Sequence, residues 1–235
     1  MFLVAESNAE ELQCRTLGTN HLLSPYKTNS ITCRNNKQFI WADDDGVTNS
    51  VFPWRYTYES VDTELKGVAK YVSVRATTDA LITTVYNSDD DLFSINKSKH
   101  GGKSQLVFML EADNAPSILM DALDDVVVIV DRDVHKLHMY DYAGTNHRSH
   151  YLNYMGSIDG LHVLPDGNCA LLSDGYWNCV TKLSVKLDIF GMETIWVCED
   201  IPKPTGISSD KYGLIYVGSE HSSIYILSPQ GVFDS

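Results

Sequence analysis

Short runs of acidic residues recur along the chain, each between two apolar segments. They occur at 43–45, 89–91 and 131–133, and single acidic residues follow at Asp174 and Glu220. Carboxylates in such runs could bind a hard cation such as Ca²⁺ or attract a basic partner. The spacing fits neither an EF-hand nor a repeated calcium loop, and consecutive side chains at a strand end point in different directions. We therefore predict no metal site and no cofactor.

Two interpretations of these acidic runs remain open. Asp is favoured in turns because its side chain hydrogen-bonds to nearby backbone groups, so the pattern can be purely structural. If the runs all lie in equivalent turns on one face of the fold, they would instead form a negative docking surface. Such a surface would attract a protein with a basic surface at long range.

An aromatic pair, Tyr176–Trp177, stands at the same place in its segment as the acidic runs do in theirs. Exposed Tyr and Trp side chains are frequent interface anchors, although Trp177 could equally pack onto a neighbouring segment. Trp41 and Trp196 have apolar neighbours and are predicted to be core residues. The residues predicted to bind a partner are Asp43, Asp44, Asp45, Asp89, Asp90, Asp91, Asp131, Asp133, Asp174, Tyr176, Trp177 and Glu220.

The composition narrows the class of partner. The 235 residues carry a formal net charge of −13, and the sequence pI is about 4.9. An acidic surface repels phosphate backbones, and the densest basic stretch, 97–103, holds only three lysines and one histidine. Nucleic acid is therefore disfavoured as a partner. The apolar fraction of 43% is enough to form a buried core.

The five cysteines are scattered and odd in number, with no closely spaced pair that a structural zinc site would need. They are typical of reduced, mostly buried thiols, which favours a cytosolic protein. The apolar start at 1–5 lacks a basic flank and ends at Glu6, so no signal peptide is expected. No apolar run approaches the length of a membrane span.

A repeating unit determines the predicted fold. It consists of an apolar strand, a polar or acidic turn and a second apolar strand, and its copies begin at residues 39, 81, 126, 169 and 214. Consecutive copies are thus 42 to 45 residues apart, the period of a four-stranded propeller blade. The segment 2–14 looks like a further hairpin. A blade of this kind cannot bury both of its faces alone, so neighbouring blades must stack around an axis.

Two more strands complete each unit. A strand ending in a tight Asp–Gly turn precedes the hairpin at 159–167 and at 205–213, and 116–120 occupies the same place one unit earlier. A fourth strand follows at 106–110 and at 194–197. The whole chain, residues 1–235, is predicted to be one all-β, six-bladed propeller domain. Its first and last blades are expected to be partial, as in a fragment of a longer multidomain chain.

The segment 203–231 closely resembles an NHL repeat. It contains Pro204-Thr205-Gly206-Ile207, Asp210, Gly213 and the strand Ile215-Tyr216-Val217, and it ends in Pro229-Gln230-Gly231. The similarity is fair over 157–184 and weak before 115. The chain is most similar to the C-terminal propellers of tripartite-motif proteins. That resemblance implies a protein-binding platform, either monomeric or part of a larger chain.

The chain also departs from this family. The Asp that usually follows the Tyr-Val strand is replaced by Gly218. No RING or B-box zinc pattern is present, so the ubiquitin-ligase activity of such relatives is not carried over. The RNA-binding members have a basic face, which this composition argues against.

Catalysis is the main alternative. Six-bladed propellers also include calcium-dependent hydrolases of the lactonase and phosphotriesterase type, which hold the cation near the axis with a set of carboxylates and Asn. We predict no such carboxylate set on the first strands, and we interpret His162 as a satisfied histidine of the core or channel. A third alternative, an extracellular propeller of the low-density-lipoprotein-receptor kind, would need a Tyr-Trp-Thr-Asp motif and paired cysteines. The expectation is a cytosolic interaction scaffold without enzymatic activity.

Overall fold

The computed structural model describes most of the chain from residue 69 onward and the strands before it. The described residues are 3–8, 11–16, 30–34, 38–43, 46–51, 55–60, 69–77, 79–99, 104–111, 118–143, 147–185 and 192–233. Between residues 3 and 60 the backbone of the strands is described, and the side chain of Ile40. None of the described residues forms a helix long and apolar enough to cross a membrane.

The described residues form 21 strands in six antiparallel sheets, which we number along the chain. Sheet 1 contains β1 (Leu3–Asn8) and β2 (Glu11–Thr16); sheet 2 contains β3 (Ser30–Arg34), β4 (Gln38–Asp43), β5 (Gly46–Val51) and β6 (Arg55–Ser60). Sheet 3 contains β7 (Ala69–Ala76), β8 (Ala80–Asn87), β9 (Leu92–Lys99) and β10 (Ser104–Glu111). Sheet 4 contains β11 (Ile118–Ala122), β12 (Val126–Asp131), β13 (Lys136–Asp141) and β14 (His147–Tyr151). Sheet 5 contains β15 (Ile158–Val163), β16 (Cys169–Asp174), β17 (Cys179–Ser184) and β18 (Thr194–Cys198), and sheet 6 contains β19 (Pro204–Ser209), β20 (Ile215–Ser219) and β21 (Ile224–Leu227).

This architecture is a β-propeller, as the repeat predicted. Each four-stranded sheet is a meander in which strands adjacent in sequence are adjacent in space. The first strands of sheets 2 to 6 contact one another in order, β3 with β7, β7 with β11, β11 with β15 and β15 with β19. They therefore line the inside of the stack. The second strands of these sheets begin within one residue of the starts of the sequence repeats.

The core lies between sheets, on both sides of each second strand. In β12, Val127 and Ile129 pack toward sheet 3, whereas Val126, Val128 and Val130 pack toward sheet 5. Successive side chains of a strand point to opposite faces, so burial of every residue in this run requires a neighbour on each face. The continuous apolar runs in the sequence are explained by this packing.

The fourth strands lie at the outside of the stack and are largely exposed. Trp196 of β18, predicted as a core residue, is only partly buried. Its indole Nε1 donates a hydrogen bond to the backbone oxygen of Pro229 at 3.3 Å, and its ring leaves no room for a side chain at Gly231. The prediction is therefore confirmed in part: Trp196 packs against the core cluster between sheets 5 and 6, and its place on an outer strand leaves it partly exposed. Strand β6 begins at Arg55, and Trp41 and Trp54 lie outside the described side chains.

The turns between first and second strands confirm the predicted Asp–Gly chemistry. Gly167 and Gly213 have φ values of 68° and 87°, a region that favours glycine. Asp210 accepts hydrogen bonds from the backbone N–H groups of Tyr212 and Leu214, both at 2.9 Å. The side chain thus closes the turn that its sequence position predicted.

The packing between sheets leads to a stability prediction. The substitution Leu172→Ala tests this packing, because the Leu172 side chain is fully buried between sheets 4 and 5. We expect Leu172→Ala to lower the free energy of unfolding by about 2 to 5 kcal/mol, because the rigid neighbours cannot collapse into the space. Urea unfolding followed by circular dichroism measures this loss. Leu106→Ala, at an exposed position of the outer strand β10, is the matched control, and an equal loss there would contradict the assignment of the core.

Candidate functional site

In sheets 3 to 6, where the turns between second and third strands are described, these turns lie at the same edge of the stack, because the sheets share one meander topology. These turns also share one hydrogen-bonding pattern and one backbone conformation. The last residue of the second strand accepts a hydrogen bond from a backbone N–H of the turn, and a later turn residue has a positive φ. The accepting residues are Asn87, Asp131, Asp174 and Ser219, and the residues with positive φ are Asp91, His135, Asn178 and Ser222.

The turn of sheet 3 is acidic and exposed. Asp90 accepts a hydrogen bond from the Asn87 side chain at 2.7 Å, and Asp91 accepts one from the Tyr86 hydroxyl at 2.7 Å. The hydrogen bond to Asp91 raises the pKa of the Tyr86 phenol. Asp89 is exposed, and only its backbone N–H is tied to Asn87. Two of the three carboxylates therefore stabilise the turn while still facing solvent.

The two carboxylates in the turn of sheet 4 have different roles. Asp131 accepts hydrogen bonds from the backbone N–H groups of Asp133 and Val134, at 3.0 and 3.4 Å. Asp133 and Val134 are themselves exposed. Arg132, which stands between Asp131 and Asp133 in sequence, forms an ion pair with Asp159, with 3.9 Å between Arg132 Nη1 and Asp159 Oδ1. A negative side chain and an apolar one thus point outward together from this turn.

Asp174 is a correction to the predicted site. Its side chain is 0% exposed, and its carboxylate accepts hydrogen bonds from the backbone N–H groups of Gly156, Ser157, Tyr176 and Trp177 at 2.6 to 3.1 Å. A carboxylate that is buried and saturated in this way cannot contact a partner. Its role is structural, because it joins the loop before β15 to the turn after β16.

The two aromatic residues whose backbone N–H groups bind Asp174 have the most exposed large side chains among the described turns of this edge. Tyr176 and Trp177 are 68% and 59% exposed, and their rings meet edge to face with centroids 4.9 Å apart. Tyr176 lies against Gly156, where a Cβ atom would come within 2.6 Å of the ring. Of the two alternatives for Trp177, the structure shows the protruding one.

The remaining predicted residues fall into two groups. Glu220, in the turn of sheet 6, is exposed and forms an ion pair with Lys203 at 3.1 Å, which offsets part of its charge. Asp43 ends strand β4, but its side chain is outside the described residues, as are Asp44 and Asp45 altogether. The structure therefore brings the aromatic pair and the carboxylates of sheets 3, 4 and 6 to one edge, which we call the turn edge. It comprises the described turns 88–91, 132–135, 175–178 and 220–223.

A second polar cluster was missed in the sequence. It runs across the first strands of sheets 3 to 6, near their ends. Arg75 Nε donates to Asp121 Oδ1 at 2.8 Å, His162 Nδ1 lies 3.1 Å from Asp121 Oδ2, and His162 Nε2 lies 2.8 Å from the Ser209 hydroxyl. We call these four residues the first-strand relay. The sequence analysis did not single out Asp121, the one carboxylate of this cluster, whereas the interpretation of His162 as a satisfied histidine is confirmed by its two hydrogen-bond partners.

The relay depends on an ionised Asp121. Burial by itself would raise the pKa of this carboxyl. The nearby Arg75 guanidinium, the hydrogen bond to His162 and the backbone N–H of Val163 outweigh burial and hold the pKa below its ordinary value. The N–H groups of Val163 and Ala122 donate to the two oxygens at 2.7 and 2.9 Å. The carboxylate is therefore fixed in position and in charge.

A signal for the relay was present in the repeat. Arg75, Asp121 and His162 each stand next to last in their strands, and Ser209 stands last in its strand. Polar residues at matching places in neighbouring first strands would have indicated a polar belt around the inside of the stack. Among the described residues, no three His, Cys, Asp or Glu side chains lie together as a metal site would require.

The sequence matches no protein-family model and no curated protein. The structure is similar to solved propellers. One is the WD40 β-propeller domain of Doa1, with a TM-score of 0.64 and 13% identity over 88% of this chain and 67% of that one. Another is a chain of a nidogen/laminin complex, with a TM-score of 0.63 and 13% identity over 86% and 76%. A protein of unknown function from Bacteroides caccae gives a TM-score of 0.66 and 10% identity over 90% and 81%. Identities this low show the fold alone.

The burial of Asp174 leads to a second prediction. Asp174→Ala leaves four backbone N–H groups without their acceptor, so we expect a loss of about 3 to 5 kcal/mol in the free energy of unfolding. We also expect a change in the tryptophan fluorescence spectrum, since Trp177 loses the bond that fixes its turn. The exposed Asp133→Ala is the control and should change the stability by less than about 0.5 kcal/mol. Equal effects of the two substitutions would contradict the structural role of Asp174.

The pKa of Asp121 leads to a third prediction. Because its pKa is lower in the folded chain than in the unfolded chain, the charged form stabilises the fold above the unfolded pKa of about 3.9, and this stabilisation is lost as the pH falls through the folded value. The stability difference between the native chain and Asp121→Asn should therefore be largest above about pH 4 and shrink below it. Urea unfolding between pH 2 and pH 7 measures this. A difference that does not depend on pH would contradict the ionised relay, and Asp133→Asn serves as the control.

Proposed function

We propose that this propeller is a protein-interaction scaffold that binds a partner with a basic surface at its turn edge. The observation that carries the proposal is the exposed Tyr176–Trp177 pair. Large aromatic side chains that remain in solvent on an otherwise well-packed fold are typical anchors of protein interfaces. Asp174 fixes the backbone of both residues and the Tyr176 ring lies against Gly156, so less conformational freedom is lost when a partner binds.

The charges around the pair indicate the kind of partner. Asp89 and Asp133 are exposed on sheets 3 and 4, and Glu220 is exposed on sheet 6. A Lys or Arg side chain of the partner could contact a carboxylate and at the same time lie over an aromatic face. The net charge of −13 would favour the approach of such a partner. The exposed Val134 adds apolar area beside these groups.

We further propose that residues 1–235 form one six-bladed propeller domain of the NHL kind, similar to those of tripartite-motif proteins, and that it works in the cytosol. The hydrogen bonds of Asp210 support the NHL assignment. Asp210 closes the turn to Gly213 and also accepts a hydrogen bond from the Tyr216 hydroxyl at 3.1 Å, which links the Asp, Gly and Tyr positions of the motif. One similar solved structure is that of a nidogen/laminin complex, so the fold is compatible with a place in a protein complex.

The test removes the aromatic pair and the charges separately. Tyr176→Ala combined with Trp177→Ala should weaken binding of a captured partner by about tenfold or more, as expected for interface anchors. Asp89→Asn combined with Asp133→Asn should slow association and reduce its dependence on salt, since rim charges act mainly on the rate of encounter. Affinity capture from lysate identifies the partner, and binding of the purified pair at low and high salt gives the affinities.

The matched control is Tyr212→Ala, which removes an aromatic side chain of similar exposure, 58%, from the turn between β19 and β20 at the opposite end of sheet 6. It should leave the affinity unchanged. If the partner binds the aromatic variant as tightly as the native chain, or is lost equally from the control, the turn edge is not the interface and the proposal fails.

A further inference from the structure

The first-strand relay has the geometry of an activated nucleophile. The Ser209 hydroxyl oxygen lies 2.8 Å from His162 Nε2, and His162 Nδ1 lies 3.1 Å from Asp121 Oδ2. Each of these three groups lies within hydrogen-bond distance of the next, in the order hydroxyl, imidazole and carboxylate. In this arrangement the imidazole is the base that activates the hydroxyl as a nucleophile, and the carboxylate orients the imidazole. No part of the proposed scaffold function uses these contacts.

The surroundings of Asp121 determine which imidazole nitrogen carries the proton. An ionised carboxylate can only accept hydrogen bonds, so Nδ1 of His162 must be the donor toward Asp121. In the neutral ring Nε2 is then the acceptor, and it faces the Ser209 hydroxyl. Arg75, Ala122 and Val163 occupy the carboxylate from other sides, so it cannot rotate away from the histidine. The ring therefore presents a basic nitrogen to the serine oxygen.

The position of the three residues makes the serine reachable. Asp121, His162 and Ser209 lie near the ends of neighbouring first strands, at the end of the sheets that carries the turns between first and second strands. This is the end opposite the turn edge. Asp121 is buried, whereas His162 and Ser209 are partly exposed. The carboxylate of Asp121 is thus shielded from solvent, while the Ser209 residue is partly exposed to it.

We propose that Ser209 is the nucleophile of an acyl-transfer site that hydrolyses carboxylic esters. The Ser209 oxygen attacks the ester carbonyl carbon while its proton passes to His162 Nε2. The bond to the leaving alcohol then breaks as Nε2 returns that proton to the alcohol oxygen, which leaves an acyl group on Ser209. Water attacks this acyl-serine, gives its proton to Nε2, and the carboxylic acid departs as the proton returns to the serine oxygen. Asp121 stays ionised throughout and stabilises the imidazolium.

The same structure limits the expected rate. The backbone N–H of Asp210, the residue after the nucleophile, donates to the backbone oxygen of Leu214 at 3.0 Å. It is therefore not available to stabilise the oxyanion of the tetrahedral intermediate, a contribution worth roughly 10²- to 10³-fold in rate for one donor. We expect measurable turnover with activated esters that have a good leaving group, such as p-nitrophenyl acetate.

The test uses the full chain with p-nitrophenyl acetate and a fluorophosphonate that labels activated serines. The native chain should be labelled at Ser209, as identified by mass spectrometry of the modified peptide, and should hydrolyse the ester. Ser209→Ala and His162→Gln should each lower both signals by at least about a hundredfold, which is the lower end of the range for a positioned base. Ser208→Ala changes the adjacent, exposed serine of the same strand and should leave both signals unchanged.

A further pair of variants covers the case in which the alanine variant loses its fold. Ser209→Cys keeps the size and the nucleophile, and its thiol should react with iodoacetamide at least about tenfold faster than the thiol of Ser208→Cys, because only the former lies beside a base. Circular dichroism establishes that each variant is folded. Absence of Ser209 labelling in the native chain, or hydrolysis that persists in Ser209→Ala and so originates from surface histidines such as His221, would overturn the proposal.

Discussion

The second strands are apolar on both of their faces, and the rest of the molecule is arranged around that fact. In β8, β12 and β16 nearly every side chain is buried, so each sheet needs another sheet on either side. The stack satisfies this requirement for sheets 4 and 5, whose two faces are covered by the clusters that join sheets 3 and 4, sheets 4 and 5, and sheets 5 and 6. The charged and aromatic groups of the two proposed sites therefore lie where these clusters do not reach, in the turns and at the ends of the first strands.

In the turn edge, one hydrogen-bonding pattern both closes each turn and leaves other side chains of the same turn exposed. The residue that ends each second strand accepts a hydrogen bond from its turn and so defines the turn conformation. In sheet 5 this residue is Asp174, whose buried carboxylate accepts hydrogen bonds from the backbone of Tyr176 and Trp177, and both aromatic side chains are exposed. In sheets 3 and 4 the same construction leaves Asp89 and Asp133 exposed. Stability and surface chemistry are thus assigned to different residues of the same turn.

The first-strand relay is the polar counterpart of the apolar clusters. Close packing of first strands brings one side chain from each of four sheets into a line, and a buried carboxylate there must be paired or it would destabilise the fold. Arg75 and His162 satisfy Asp121, and Ser209 satisfies His162. The same contacts that hold neighbouring sheets together also orient an imidazole toward a hydroxyl. The two proposed sites lie at opposite ends of the sheets and can therefore be tested independently.

The sequence alone determined the all-β fold, the four-stranded unit and its period, because strands, turns and the alternation of apolar residues are local properties. It also determined which residues stand in the turns, down to the glycines with positive φ. Only the tertiary structure decided which acidic residues are buried. Asp131, Asp133 and Asp174 look alike in sequence, yet Asp174 alone of the three is enclosed, since the loop at Gly156 and Ser157 from the same sheet covers it. The first-strand relay could not be predicted from local sequence either. Its contacting partners are 41 to 47 residues apart in the chain, and they meet only when neighbouring sheets pack.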